Sequence, residues 1–150
     1  MMGFLSLSLF CGWFSTGCHL GQSASSSFAS VTISGKSAAE IRDATIAVFR
    51  ENGYQALGSD GELTFEKEGT KANSIAYDGL VNSHYGAVTI IRVRTKLVNL
   101  GKGVQRLQCQ AYMVSGAGDG IMEEEHRLTN FRSGPYQDLL EKVAKRLKQP

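Results

Sequence analysis

The stretch Ala87 to Val114, AVTIIRVRTKLVNLGKGVQRLQCQAYMV, carries the strongest structural instruction in the chain. Ile91, Val93, Thr95 and Leu97 alternate with Arg92, Arg94 and Lys96. After a break, Leu107, Cys109, Ala111 and Met113 alternate with Gln108, Gln110 and Tyr112. A period of two sends successive side chains to opposite faces of a strand, so each arm has one face to bury and one to leave in water. Between the arms, Asn99-Leu100-Gly101-Lys102-Gly103 offers glycines for the positive φ of a hairpin loop with a bulge. Folding about Gly101 sets odd residues against odd residues and brings both apolar rows to one face, whereas a slip by one would bury the arginines. The spacing predicts a long β-hairpin that needs a cover for its apolar side.

Two amphipathic helices can supply the cover. Ser37-Ala38-Ala39-Glu40 has capping-box spacing, and Ile41, Ala44, Thr45, Val48 and Phe49 recur on one helical face, with Asn52-Gly53 as the stop. Near the other end, Ser133-Gly134-Pro135 starts a helix whose stripe is Tyr136, Leu139, Leu140, Val143, Ala144 and Leu147. Its acids come early and its Lys and Arg residues late, which suits the helix dipole.

Val31-Thr32-Ile33 reads as a first strand, Tyr54 to Leu57 as a short one, and Glu62 to Glu68 as another. The order β-α-β-β-β-β-α, mostly antiparallel, predicts an α+β two-layer sandwich of four or five strands with both helices on one face. If the Glu62 to Glu68 strand lies beside the first arm, its glutamates face Arg92, Arg94 and Lys96 across the wet side. Otherwise Arg92, Arg94, Lys96 and Arg106 form an exposed basic face for a partner. Strand order decides between the two. The element order resembles that of small helix-and-sheet domains of envelope lipoproteins, helix-grip domains of outer-membrane assembly accessory proteins among them.

The front of the chain is different in kind. No Lys, Arg, Asp or Glu precedes Lys36, and Phe4 to Phe14 is an apolar run of signal-peptide length, too short for a permanent bilayer span. Ser15-Thr16-Gly17-Cys18 follows. This tetrad resembles the lipobox of bacterial lipoproteins, in which small residues precede a cysteine that is diacylated on sulfur and becomes the mature N-terminus. Ser15 stands where that family prefers Leu, and Met1-Met2-Gly3 lacks the usual Lys or Arg. The resemblance implies a signal peptide over residues 1–17, a lipidated Cys18 with a Ser-rich tether to residue 30, and one domain over 31–150. It also implies a lipid-anchored place in the cell envelope, by default at the outer membrane. Ordinary signal cleavage after Ser15-Thr16-Gly17, giving a secreted domain, and a buried core segment stay open.

Composition excludes more than it selects. With 150 residues, 42% hydrophobic, and a formal net charge of +2, the chain is sized for one core and lacks the basic excess of a nucleic-acid binder. Once Cys11 has left with the signal peptide and Cys18 is acylated, Cys109 is the remaining thiol, a small hydrophobe in an apolar row. Ser115-Gly116-Ala117-Gly118-Asp119-Gly120 lacks G-x-G-x-x-G spacing and any following Lys-Ser/Thr, so it is no phosphate loop. Asp119, Glu123, Glu124, Glu125 and His126 lack the spacing of a Ca²⁺ or Zn²⁺ site and read as a solvated acidic loop. Asp78, His84, Asp119, Glu123 and His126 fall into no order of nucleophile, base and orienter. No enzyme, cofactor or metal is expected.

The long connection Gly69 to Gly86 holds Tyr77, His84 and Tyr85, the usual material of a recognition loop, although a crossover burying Ile75, Tyr77 and Leu80 is the plainer reading. The expected function is a membrane-tethered, non-enzymatic interaction or accessory module with an envelope protein partner. The candidate surface is Tyr77, His84, Tyr85, Arg92, Arg94, Lys96 and Arg106. The alternative is a periplasmic or secreted small-ligand carrier.

Overall fold

The computed structural model describes residues 28–58, 62–69, 89–115 and 123–149. These form β1 (Ala29–Ser34), α1 (Ala38–Glu51), β2 (Gln55–Leu57), β3 (Leu63–Glu68), β4 (Ile90–Gly101), β5 (Val104–Ser115), β6 (Glu124–Arg127), a short 3-10 turn (Asn130–Arg132) and α2 (Gly134–Lys148). Residues 1–27 with Cys18, residues 70–88 with Tyr77, Asp78, His84 and Tyr85, and residues 116–122 with Asp119 lie outside the described residues.

The sheet is antiparallel and six-stranded, ordered β1-β5-β4-β3-β2, with β6 also on β5. β4 and β5 are the predicted hairpin, and Ile91 opposite Met113, Val93 opposite Ala111 and Leu97 opposite Leu107 set odd against odd. The turn is tighter than the expected five-residue loop. Gly101 still pairs with Val104, leaving Lys102 (φ 51°) and Gly103 (φ 71°) as a two-residue turn with both φ positive, the geometry that matches strand twist. The extra residue is absorbed as a bulge between Asn99 and Gly101, where the Asn99 carboxamide accepts from the Gly101 amide at 2.8 Å.

Both helices cover the inner row, as a two-layer α+β sandwich requires. Ser37 caps α1 with its hydroxyl while Glu40 reaches back to the Ser37 amide at 2.8 Å, completing the capping box. Those hydrogen bonds from Ser37 hold the Glu40 carboxyl below its usual range. Phe49 stacks on Phe65 at 4.2 Å between ring centroids, pinning α1 to β3, and both rings are fully buried. The α2 stripe puts Tyr136, Leu139, Leu140 and Val143 into the same core. At the helix ends Lys142 donates to the Asn52 side chain at 3.0 Å and Arg146 pairs with Glu51 at 2.7 Å, locking α2 beside α1.

Three features depart from the sequence reading. β1 begins at Ala29 rather than Val31, because Phe28 is buried against Tyr136 at 5.2 Å, so residues 28–30 belong to the domain and not to the tether. The stretch read as a solvated acidic loop contains a strand, β6, which raises the sheet above four or five strands. Glu124-Glu125-His126-Arg127 shows no apolar alternation because its pairing is supported by charge on the outer face rather than by burial. Finally, the outer row is not wet throughout: Val114, opposite Ile90, is fully buried yet lies outside the helix-side core.

Candidate functional site

The strand order settles the fate of the basic row. β3 does lie beside β4, with Glu66 opposite Arg92, and the Arg92 Nε donates to Glu66 at 2.6 Å. The Arg92 Nη1 donates to both Glu123 and Glu125, and Arg94 binds both Glu125 oxygens at 2.8 and 3.0 Å while lying over the Tyr112 ring at 4.8 Å. Partial burial alone would lower the Arg92 pKa, but the hydrogen bonds that it donates to Glu125, Glu66 and Glu123 outweigh it and raise the pKa further, so Arg92 is permanently charged. The cluster is a structural tie that fastens β4 to its neighbour β3 and, across β5, to β6, with every Arg92 and Arg94 contact spent inside the domain. Lys96 and Arg106 have no acidic partner among the described residues and keep the outer row mildly basic. His126 meets Glu124 at 3.2 Å. Among the described residues no three His, Cys, Asp or Glu side chains converge on a metal position.

Cys109 sits in the inner row opposite Thr95 and is buried, which pushes its thiol up to about 12. A thiol held neutral in this way is not a nucleophile near neutral pH.

The site that side-chain geometry opens is on the other face. A groove of about 470 Å³ runs between the first half of α1 and the turn-proximal part of the sheet. Ala38, Ala39, Ile41, Arg42 and Thr45 form its helix wall; Leu63, Thr95, Leu97, Asn99, Gln105 and Leu107 form its floor and far side. It exists because the hairpin is longer than the helix layer that covers it, and because α1 begins with two alanines where larger side chains would close the gap. The size falls within the range of small-molecule sites.

Its polar groups are mostly committed. Thr45 donates to the Ile41 carbonyl at 2.6 Å, Thr95 to the Leu63 carbonyl at 3.2 Å, and Gln105 to the Lys36 carbonyl at 2.9 Å. Arg42 is the exception: it lines the groove, half-buried, with no acidic partner among the described residues. None of the described lining residues is Asp, Glu, His, Cys or Ser. The groove can therefore offer apolar area, a few hydroxyl lone pairs and one cation. None of its residues was a candidate from sequence. The one available signal was two threonines, Thr45 and Thr95, set in otherwise apolar rows.

What fold and groove define together is a small α+β sandwich with an open cleft between its first helix and its sheet. No protein-family model matches the chain, and no curated protein matches it. Among solved structures it is similar to the adenylate sensor from AMP-activated protein kinase in complex with 5-aminoimidazole-4-carboxamide 1-beta-D-ribofuranotide (ZMP). The identity is 14% and the TM-score 0.46, over 80% of this chain and 95% of that one. The fold assignment rests on this chain's own topology. No helix among the described residues is long and apolar enough to cross a membrane.

Proposed function

We propose that this chain is a membrane-tethered, non-enzymatic binding module of a bacterial cell envelope. Its site is the groove between α1 and the sheet, and it takes a small amphipathic ligand with an apolar body and an anionic head. One observation carries the reading: an uncompensated guanidinium, Arg42, on the wall of a groove floored by Leu63, Leu97 and Leu107. An apolar body removes leucine surface from water at about 25 cal/mol per Å². The anionic head gains a charge-assisted hydrogen bond at a partly desolvated cation. The absence of any acid, base or nucleophile in the described lining favours binding over turnover.

Tethering is the other half of the proposal, carried by the Ser15-Thr16-Gly17-Cys18 resemblance and by acyl chains that contribute about 0.8 kcal/mol per buried methylene. Palmitate labelling that disappears in Cys18→Ala supports it; labelling that survives the substitution removes it.

The ligand test is a fluorescence titration of the full chain with a dansyl-labelled medium-chain fatty acid. Binding should weaken roughly tenfold in Arg42→Ala, the loss of one charge-assisted hydrogen bond, and vanish in Ala38→Trp, where the indole fills the cleft. Equal affinity in wild type and Ala38→Trp would place the ligand elsewhere and overturn the assignment.

A further inference from the structure

The point where the chain enters the domain and the turn bearing the most exposed large apolar side chain among the described residues are neighbours. Phe131, in the 3-10 turn, is 99% exposed, whereas Leu57 and Leu100, the other exposed large apolar side chains among the described residues, are at 40% and 44%. A single apolar residue at a surface is ordinary. The surroundings of Phe131 are what give it a direction.

Ala29 pairs with Cys109, and the Leu128 amide donates to the Ala111 carbonyl at 2.9 Å. Phe28 and Leu128 therefore flank the gap between β1 and β6 on one edge of β5, and Gln110 of β5 donates to the Leu128 carbonyl at 3.3 Å. Phe28 packs on Tyr136 of the first turn of α2, which the 3-10 turn leads directly into. Chain entry, turn and start of α2 thus occupy one corner of the domain. The turn itself carries one sign of charge. From Arg127 to Gln137 the charged side chains are Arg127 and Arg132, both exposed, while the nearest acids lie on the flanking elements, Glu124 and Glu125 on β6 and Asp138 and Glu141 on α2.

We propose that this corner is a membrane-contacting site. Phe131 seats its ring at the headgroup boundary of an anionic bilayer, and Arg127 and Arg132 pair with lipid phosphates. The inference rests on the tethering reading, which supplies the bilayer. The segment from residue 19 to residue 27 is nine residues and spans at most about 30 Å when fully extended, no more than the width of a small domain. An anchor at Cys18 therefore keeps the Phe28 corner within reach of the lipid, and an interfacial apolar side chain enters by about 5–10 Å. The groove lies toward the hairpin turn, at the other end of β4 and β5, so docking by this corner leaves its mouth open.

The test is depth-dependent quenching in the full chain purified from envelopes and reconstituted into phosphatidylethanolamine vesicles containing phosphatidylglycerol. Trp13 is the chain's one tryptophan, so Phe131→Trp and, as control, Leu100→Trp are built on Trp13→Phe. Leu100 lies at the hairpin turn, about 20 Å along the strands from the entry corner. Brominated lipid should remove most emission from the Phe131→Trp protein and little from the Leu100→Trp protein. Adding Arg127→Glu and Arg132→Glu should lower the docked fraction by roughly fivefold per charge. Equal, weak quenching at both positions in protein that floats with the vesicles overturns the docking site and leaves the anchor standing. Protein that no longer floats overturns both. Quenching at residue 131 that persists in Cys18→Ala upholds the docking site independently of the anchor.

Discussion

Replacing Arg92 by Met keeps the aliphatic reach of the side chain and deletes the charge that holds Glu66, Glu123 and Glu125 together. Arg94 still pairs with Glu125, so two carboxylates, Glu66 and Glu123, lose their cation. The side chains involved are only partly screened: Arg92 is 18% exposed, Glu66 19% and Glu123 31%. Exposed pairs contribute about 0–1 kcal/mol and severing a buried pair costs about 3–5, so this intermediate cluster should lose about 2–3 kcal/mol. For a domain of this size that is a fall in Tm of about 6–15 °C. The assay is thermal unfolding followed by circular dichroism at low and high salt. The variant should regain stability as salt rises, because screening weakens carboxylate repulsion. Glu66→Gln in the Arg92→Met background should recover about 1 kcal/mol. A change below about 0.5 kcal/mol at low salt would mean that the cluster is solvated surface charge and that β6 is held by its backbone ladder alone.

Other expectations can be checked in the same way. Phe65→Ala empties the stack on Phe49 and should cost about 3–5 kcal/mol in a denaturant titration, a large share of the stability of a domain this size. Lys102→Asn places the residue type that best tolerates positive φ at a 51° position before Gly103 and should gain about 0.5 kcal/mol; a loss would contradict the two-residue turn. Burial raises the thiol of Cys109 and the phenols of Tyr54 and Tyr136, so above about pH 9 the unfolded chain sheds protons that the folded one keeps. Stability should fall as pH rises from about 9 toward 12, with Cys109 alone accounting for about 4 kcal/mol at the top of that window. Cys109→Ala should flatten that limb, and peptide mapping after thiol labelling at neutral pH should find Cys109 modified only in denaturant.

The fold was legible where burial and period coincide. Ile91 to Leu97, Leu107 to Met113 and the two helical stripes each state one face to hide, and Ser37, Glu40 and Pro135 mark helix starts by local chemistry. β6 was not legible because Glu124 to Arg127 owes its place to arginines some thirty residues earlier in the chain, a relation no local period carries. The first two residues of β1 were missed because Phe28, just before them, follows a serine tract and its partner, Tyr136, is more than a hundred residues away. The groove was invisible for a further reason. It is made by a difference in length between hairpin and helix layer, and by alanines that are small rather than by residues that are reactive. Arg92 and Arg94 stood out in sequence as a candidate surface and in structure are spent on their neighbours, while Arg42 stood out in neither period nor motif and is the cation that lines the cleft.

The most direct test of the groove as the binding site is amide chemical-shift mapping on ¹⁵N-labelled protein during titration with a medium-chain fatty acid. The shifts should concentrate at Ala38 to Thr45, Leu63, Thr95 to Asn99 and Gln105 to Leu107, need roughly tenfold more ligand in Arg42→Ala, and be absent from Ala38→Trp. Shifts that gather instead on the outer face, around Arg94, Tyr112 and Arg127, would contradict the assignment.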